Sequence, residues 1–283
     1  MKRLAVAHLL CAFLWMAVAA AHAQSTAESA YTEVFYRSGS LNIQAYLYQP
    51  AGAGPFPVVI YNHGSREGNE RSSVPFLHIG KLLTGAGYLV LVPERRGYGR
   101  SDGTTWWEEI GRDRGQRVVD RLQAETDDVL AAIDFLRTLP SADTKRLGIM
   151  GWSLGGIITM FAVSRSSAFG AAVDQAGGAL MWDSSPQLRG ALASAAEKTT
   201  TPVLLMVAQN DRTTASITTL AEILKKRGVP HRMVIYEPFS RPRGGGCFAP
   251  GHIVFSSQGV HVWEKDVLEF LGRYLGAGEP KRE

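Results

Sequence analysis

The string Ile149-Met150-Gly151-Trp152-Ser153-Leu154-Gly155-Gly156-Ile157 constrains this chain more than any other feature. It sets Gly-x-Ser-x-Gly between an apolar run that reads as a strand and an apolar run that reads as a helix. A serine in so abrupt a strand-to-helix turn takes unusual backbone angles, and side chains two residues to either side would clash. Glycine at 151 and 155 relieves the clash. The turn lifts the Ser153 hydroxyl clear of the sheet and leaves the Leu154 N–H at a helix N-terminus, where a developing oxyanion is stabilised. The bland alternative is a serine that merely caps the helix, with the glycines packing helix on sheet.

The surroundings suit such a turn. Continuous apolar runs at Phe56–Tyr61, Tyr88–Val92, Arg146–Met150, Phe169–Val173, Pro202–Ala208 and Arg232–Tyr236 read as strands buried on both faces. Helical patterns separate them, near Phe76–Thr84, Val118–Leu139, Leu154–Val163, Ile217–Lys226 and Val262–Leu275. Ahead of these, Tyr31–Tyr36 and Leu41–Tyr48 alternate around Ser38-Gly39-Ser40 and predict an antiparallel hairpin. The expected fold is therefore α/β: a mostly parallel twisted sheet of about eight strands, opened by a hairpin and flanked by helices. No repeat or charged linker divides residues 24–283, which read as one domain. Two connections, Gly97–Arg117 and Ala179–Thr200, exceed the usual length and could overhang a pocket, though neither suffices for a large cap.

Two further turns extend the pattern: Tyr61-Asn62-His63-Gly64-Ser65 after the first parallel strand, and Arg95-Arg96-Gly97-Tyr98-Gly99-Arg100-Ser101 after the second. With Gly151–Gly155 they make three glycine-bearing turns in one order, and in this the chain resembles the α/β-hydrolase fold family over residues 31–275. The build without a large cap is similar to the dienelactone hydrolase-like branch, except that Ser153 stands where that enzyme has a cysteine. The resemblance implies serine hydrolase chemistry with the chain order Ser, acid, His. It implies Asp211 as the acid, in Ala208-Gln209-Asn210-Asp211, with Asp174 one strand earlier, and Asp183 beyond it, as alternatives. It implies His252, in Pro250-Gly251-His252, as the base; His261 and His231 are the other histidines after the acid, the first set at a helix start and the second at a strand edge. His63 is expected to hold its loop, so that the N–H of Ser65 joins that of Leu154 as an oxyanion donor.

The reading that follows is an exported serine hydrolase that cleaves a small-molecule carboxylic ester, thioester or lactone through an acyl-enzyme. A peptidase or acyl-transferase with the same triad competes with it, as does a non-catalytic binding protein on the same scaffold. Export is read from Met1-Lys2-Arg3, the apolar run from Leu9 to about Ala21, and Ala21-His22-Ala23 ahead of a cleavage point. The run is too short for a bilayer-spanning anchor. Cleavage after residue 23 removes Lys2 and Arg3, so 28 basic residues face 26 acidic ones, and the net charge falls from +4 to +2. That excludes an electrostatic case for nucleic acid. Arg112, Arg114, Arg117 and Arg121 alternate with Asp113 and Asp120 as on a solvated face. Cys247 is then the one remaining cysteine, and no His, Cys or carboxylate pair has metal-ligand spacing. No glycine cluster has the dinucleotide pattern, so neither metal nor cofactor is expected. Trp106, Trp107, Trp152 and Trp182 offer either packing or an aromatic wall for substrate, and Arg241–Gly246 is expected to rim the pocket.

Overall fold

In the computed structural model, residues 30–66, 68–240 and 248–276 are described. Residues 1–23, read above as an export segment, Arg241–Gly246 and Cys247 lie outside them. The chain opens with β1 (Thr32–Ser38) and β2 (Leu41–Tyr48), the expected hairpin, and continues through β3 (Phe56–Asn62), α1 (Leu77–Gly85) and β4 (Leu89–Glu94). Next come the single turn α2 (Trp106–Glu109), the long α3 (Gln116–Arg137), β5 (Ala142–Trp152) and α4 (Leu154–Arg165). Then follow β6 (Ala171–Gln175), α5 (Pro186–Lys198), β7 (Val203–Ala208), α6 (Ala215–Lys226) and β8 (His231–Tyr236). A 3₁₀ segment, Pro250–Phe255, precedes α7 (Val260–Leu275).

The eight strands form one sheet in the order β1-β2-β4-β3-β5-β6-β7-β8. Only β2 runs against the rest, since it pairs antiparallel with both β1 and β4 while every other pairing is parallel. β4, β6 and β7 are buried at every position, as their unalternating apolar runs require of strands covered on two faces. β5 shows how the covering is arranged. Gly148 and Gly151 have opposite parity and therefore face opposite sides of the sheet; the first lies under Leu271 and Leu275 of α7, the second against Gly155 and Thr159 of α4. The edge strand β8 is exposed or half-buried along its length, and the ring of His231 at its start bonds the nearby Val229 carbonyl.

Two expectations need correction. The connection Ala179–Thr200 holds a helix that was not among those expected: Ser185 caps and Pro186 starts the 13-residue α5 within it. Nor does Arg121 belong to a solvated face. It is 2% exposed, pairs with Glu125 one turn on and with Glu109, and donates to the carbonyls of Thr104 and Arg96. No helix among the described residues is long and apolar enough to cross a membrane.

Candidate active site

Ser153 sits between the end of β5 and the first residue of α4, with φ 59° and ψ −116°. This left-handed φ is unfavourable for a residue with a Cβ, and the surroundings hold it in place. The Ser153 N–H donates to the Gln175 carbonyl of β6 at 2.9 Å, and its own carbonyl accepts from Gly156 and Ile157. Gly155 is compelled at its position, since a Cβ there would fall on the carbonyls of Asn62 and His63 at the end of β3. The two turns therefore meet backbone to backbone, and the N–H of Leu154 is left at the open end of α4.

Asp211, in the turn after β7, and His252, inside the 3₁₀ segment, come together. Nδ1–H of His252 donates to Asp211 Oδ2 at 2.8 Å, with both side chains buried. Asp211 Oδ1 accepts from the N–H of Arg212. Gly251 fits between because a Cβ would strike the backbone of Asn210 and Asp211. Since Nδ1 holds the proton, Nε2 carries the lone pair, and it makes no hydrogen bond among the described residues. The other acids and bases lie elsewhere. Asp174 is buried beneath α4, with Oδ1 accepting from Gly177 N–H at 2.7 Å, and burial pushes its pKa up to about 7. Asp183 and His261 are exposed.

The loop bearing Ser65 is fixed by three contacts. Nδ1–H of His63 donates to the Gly64 carbonyl at 2.7 Å. Arg95 donates to the His63 carbonyl at 3.0 Å while its Nε bonds Glu125. Arg66 grips Glu94 with both guanidinium nitrogens and lies over the Tyr98 ring. Burial and the cations of Arg95 and Arg66 drive the His63 pKa well down, while burial raises that of Glu94 against the pull of Arg66. His63 is thus neutral, and its ring packs on Phe76 and Tyr98.

Ser153, Leu154 and Ser65 line one cavity of about 360 Å³. Both long connections contribute to it, Trp106 and Arg114 from one and Leu180 and Met181 from the other. Of the tryptophans singled out, Trp106 alone borders this cavity; Trp107 is 46% exposed, Trp182 is packed inside, and Trp152 turns toward His252. Arg212 and Phe248 complete the wall and were not singled out in the sequence, although Arg212 directly follows the proposed acid. Neither Arg114 nor Arg212 pairs with a carboxylate among the described residues, and no acidic side chain lines the cavity.

Residues 43–244 match the dienelactone hydrolase family. The chain is 28% identical over 214 residues to a Methylorubrum extorquens protein named as a carboxymethylenebutenolidase, covering 73% of this chain and 68% of that one. It is also 28% identical over 137 residues to a Bacillus subtilis peptidase, covering 47% of this chain but 19% of the peptidase. Among solved structures, the acylaminoacyl peptidase of Pyrococcus horikoshii superposes with a TM-score of 0.66 at 22% identity, over 89% of this chain and 43% of its own. An esterase of Pyrococcus furiosus superposes with a TM-score of 0.61 at 16% identity, over 87% and 91%. This chain therefore spans less than half of the peptidases it is similar to, but most of the esterase.

Proposed function

The chain belongs to the dienelactone hydrolase family, and from that premise we propose an exported serine hydrolase that cleaves a carboxylic ester, thioester or lactone. The observation that carries this reading is the bond from His252 Nδ1–H to Asp211, which leaves Nε2 as the basic nitrogen on the base loop. Nε2 takes the proton of the Ser153 hydroxyl as its oxygen attacks the substrate carbonyl. The N–H groups of Leu154 and Ser65 hold the resulting oxyanion. Collapse expels the alcohol or thiol, which receives the proton from Nε2. Water then adds to the acyl-serine with the same nitrogen as base, releasing the acid and restoring Ser153.

The apolar walls of the cavity, lined also by the guanidinium groups of Arg114 and Arg212 and by no acidic side chain among the described residues, favour a substrate that carries its own acid group. This agrees with the carboxymethylene-bearing butenolide in the name of the Methylorubrum relative. The test is labelling with a fluorophosphonate and mass mapping of the adduct, alongside turnover of an ester panel. Ser153→Ala should abolish labelling and lower kcat by at least about 10³-fold with the fold intact. Labelling at another residue, or turnover preserved in that variant, would sink the assignment. Faster cleavage of the matched amides would favour a peptidase.

A further inference from the structure

The position between Gly151 and Ser153 is occupied by a side chain that reaches the base loop. The indole Nε1–H of Trp152 donates to the main-chain carbonyl of His252 at 3.0 Å, across 100 residues of sequence. The Trp152 and His252 rings lie 5.6 Å apart at 38°. The His252 ring also meets that of Phe248 at 5.9 Å. The His252 N–H already donates to Ala249, and the Gly251 N–H to Asn210. Trp152 therefore adds a side-chain donor to the carbonyl of the residue whose imidazole bonds Asp211. Trp152 does not border the cavity at Ser153; it lines a second, shallower one with Val74, Phe76 and Ser256. Its role is consequently separable from substrate contact.

We propose that Trp152 is a positioning residue that sets His252 against Ser153. The inference rests on the serine-hydrolase reading above. Trp152 and Ser153 are consecutive, and the backbone of both is fixed by β6, through the Trp152–Gln175 pairing and the Ser153 N–H bond to Gln175. An indole held by that strand and bonded to the base loop makes nucleophile and base one rigid unit. Asp211 fixes the ring of His252 but not where its backbone sits relative to Ser153. A displacement near 1 Å in such a pair costs on the order of 10²-fold in rate.

Trp152→Phe keeps an aromatic ring and deletes the donor. The expected result is a kcat lowered roughly 10- to 100-fold with KM within about 3-fold of the parent, because proton transfer is slowed while the cavity is untouched. Acylation and deacylation should slow together in pre-steady-state traces, since both use His252. A kcat within about 3-fold of the parent, or a loss carried by KM, would overturn the inference while Ser153→Ala still abolishes turnover. Turnover persisting in Ser153→Ala would instead remove the reading beneath it. Should Trp152→Phe not fold, the parent protein decides by NMR of its indole N–H groups. The Trp152 N–H should exchange with water far more slowly than that of exposed Trp107, and its resonance should move when a fluorophosphonate occupies Ser153. Exchange as fast as Trp107 refutes the bond.

Discussion

Asp174→Asn separates two roles open to a carboxylate at the end of β6. Asp174 is fully buried, and its Oδ1 bonds the Gly177 N–H at 2.7 Å. No basic side chain pairs with it among the described residues, and its Oδ2 has no partner there. Burial raises its pKa from an ordinary 3.8 to about 7, against the smaller opposing effect of the Gly177 bond. The sign follows from linkage. Between those two values the folded chain holds the proton and the unfolded chain does not, so stability is fully present below about pH 4 and is lost as pH rises toward 7. At about 1.4 kcal/mol per pH unit, the loss across that window is about 4 kcal/mol. Asparagine keeps the acceptor for Gly177 and cannot ionise. Urea unfolding of both proteins at pH 4 and pH 8 should therefore show the variant gaining about 4 kcal/mol on the parent between the two conditions, with other titrations cancelling in the difference. Turnover at pH 8 should stay within about 3-fold of the parent, because His252 bonds Asp211 rather than Asp174. Stability curves that run parallel would refute the burial argument. A collapse of kcat would return Asp174 to the role of acid.

Two further substitutions address the site itself. Asp211→Asn should lower kcat by about 10⁴-fold with little change in KM or in the unfolding midpoint, because an amide no longer holds the His252 tautomer with a bare Nε2; steady-state kinetics at pH 7.5 check this. Arg114→Ala or Arg212→Ala should lower kcat/KM about 10-fold for an ester carrying a free carboxylate, and should leave its neutral methyl ester nearly unaffected. The ratio between the two substrates is the measurement.

What could be read in advance divides along the range of the interactions. β3, β4, β6 and β7 were legible because burial on two faces imposes short apolar runs, rich in β-branched residues and bounded by turn residues. The Ser153 turn was legible because its glycines mark it within five residues: a Cβ at 151 would strike the Gly155 backbone, while Gly155 is compelled by the carbonyls of Asn62 and His63 from the β3 turn. Helix α5 carried a start signal in Ser185-Pro186, but its buried stripe of Leu188, Leu192, Ala195 and Ala196 is half alanine and gives a weak period. Arg121 was misread for a different reason. Its spacing to Glu125 suits a solvated ion pair equally well, and burial is decided by Arg95, which arrives from the β4 turn to share the same carboxylate. The bond from Trp152 to His252 had no local sign at all, since a main-chain carbonyl accepts from any donor and every residue has one. Side-chain chemistry at a turn thus shows in sequence when the turn itself is strained. The contacts that align one turn with another depend on backbone groups common to all residues, and they emerge only when the sheet has set its register.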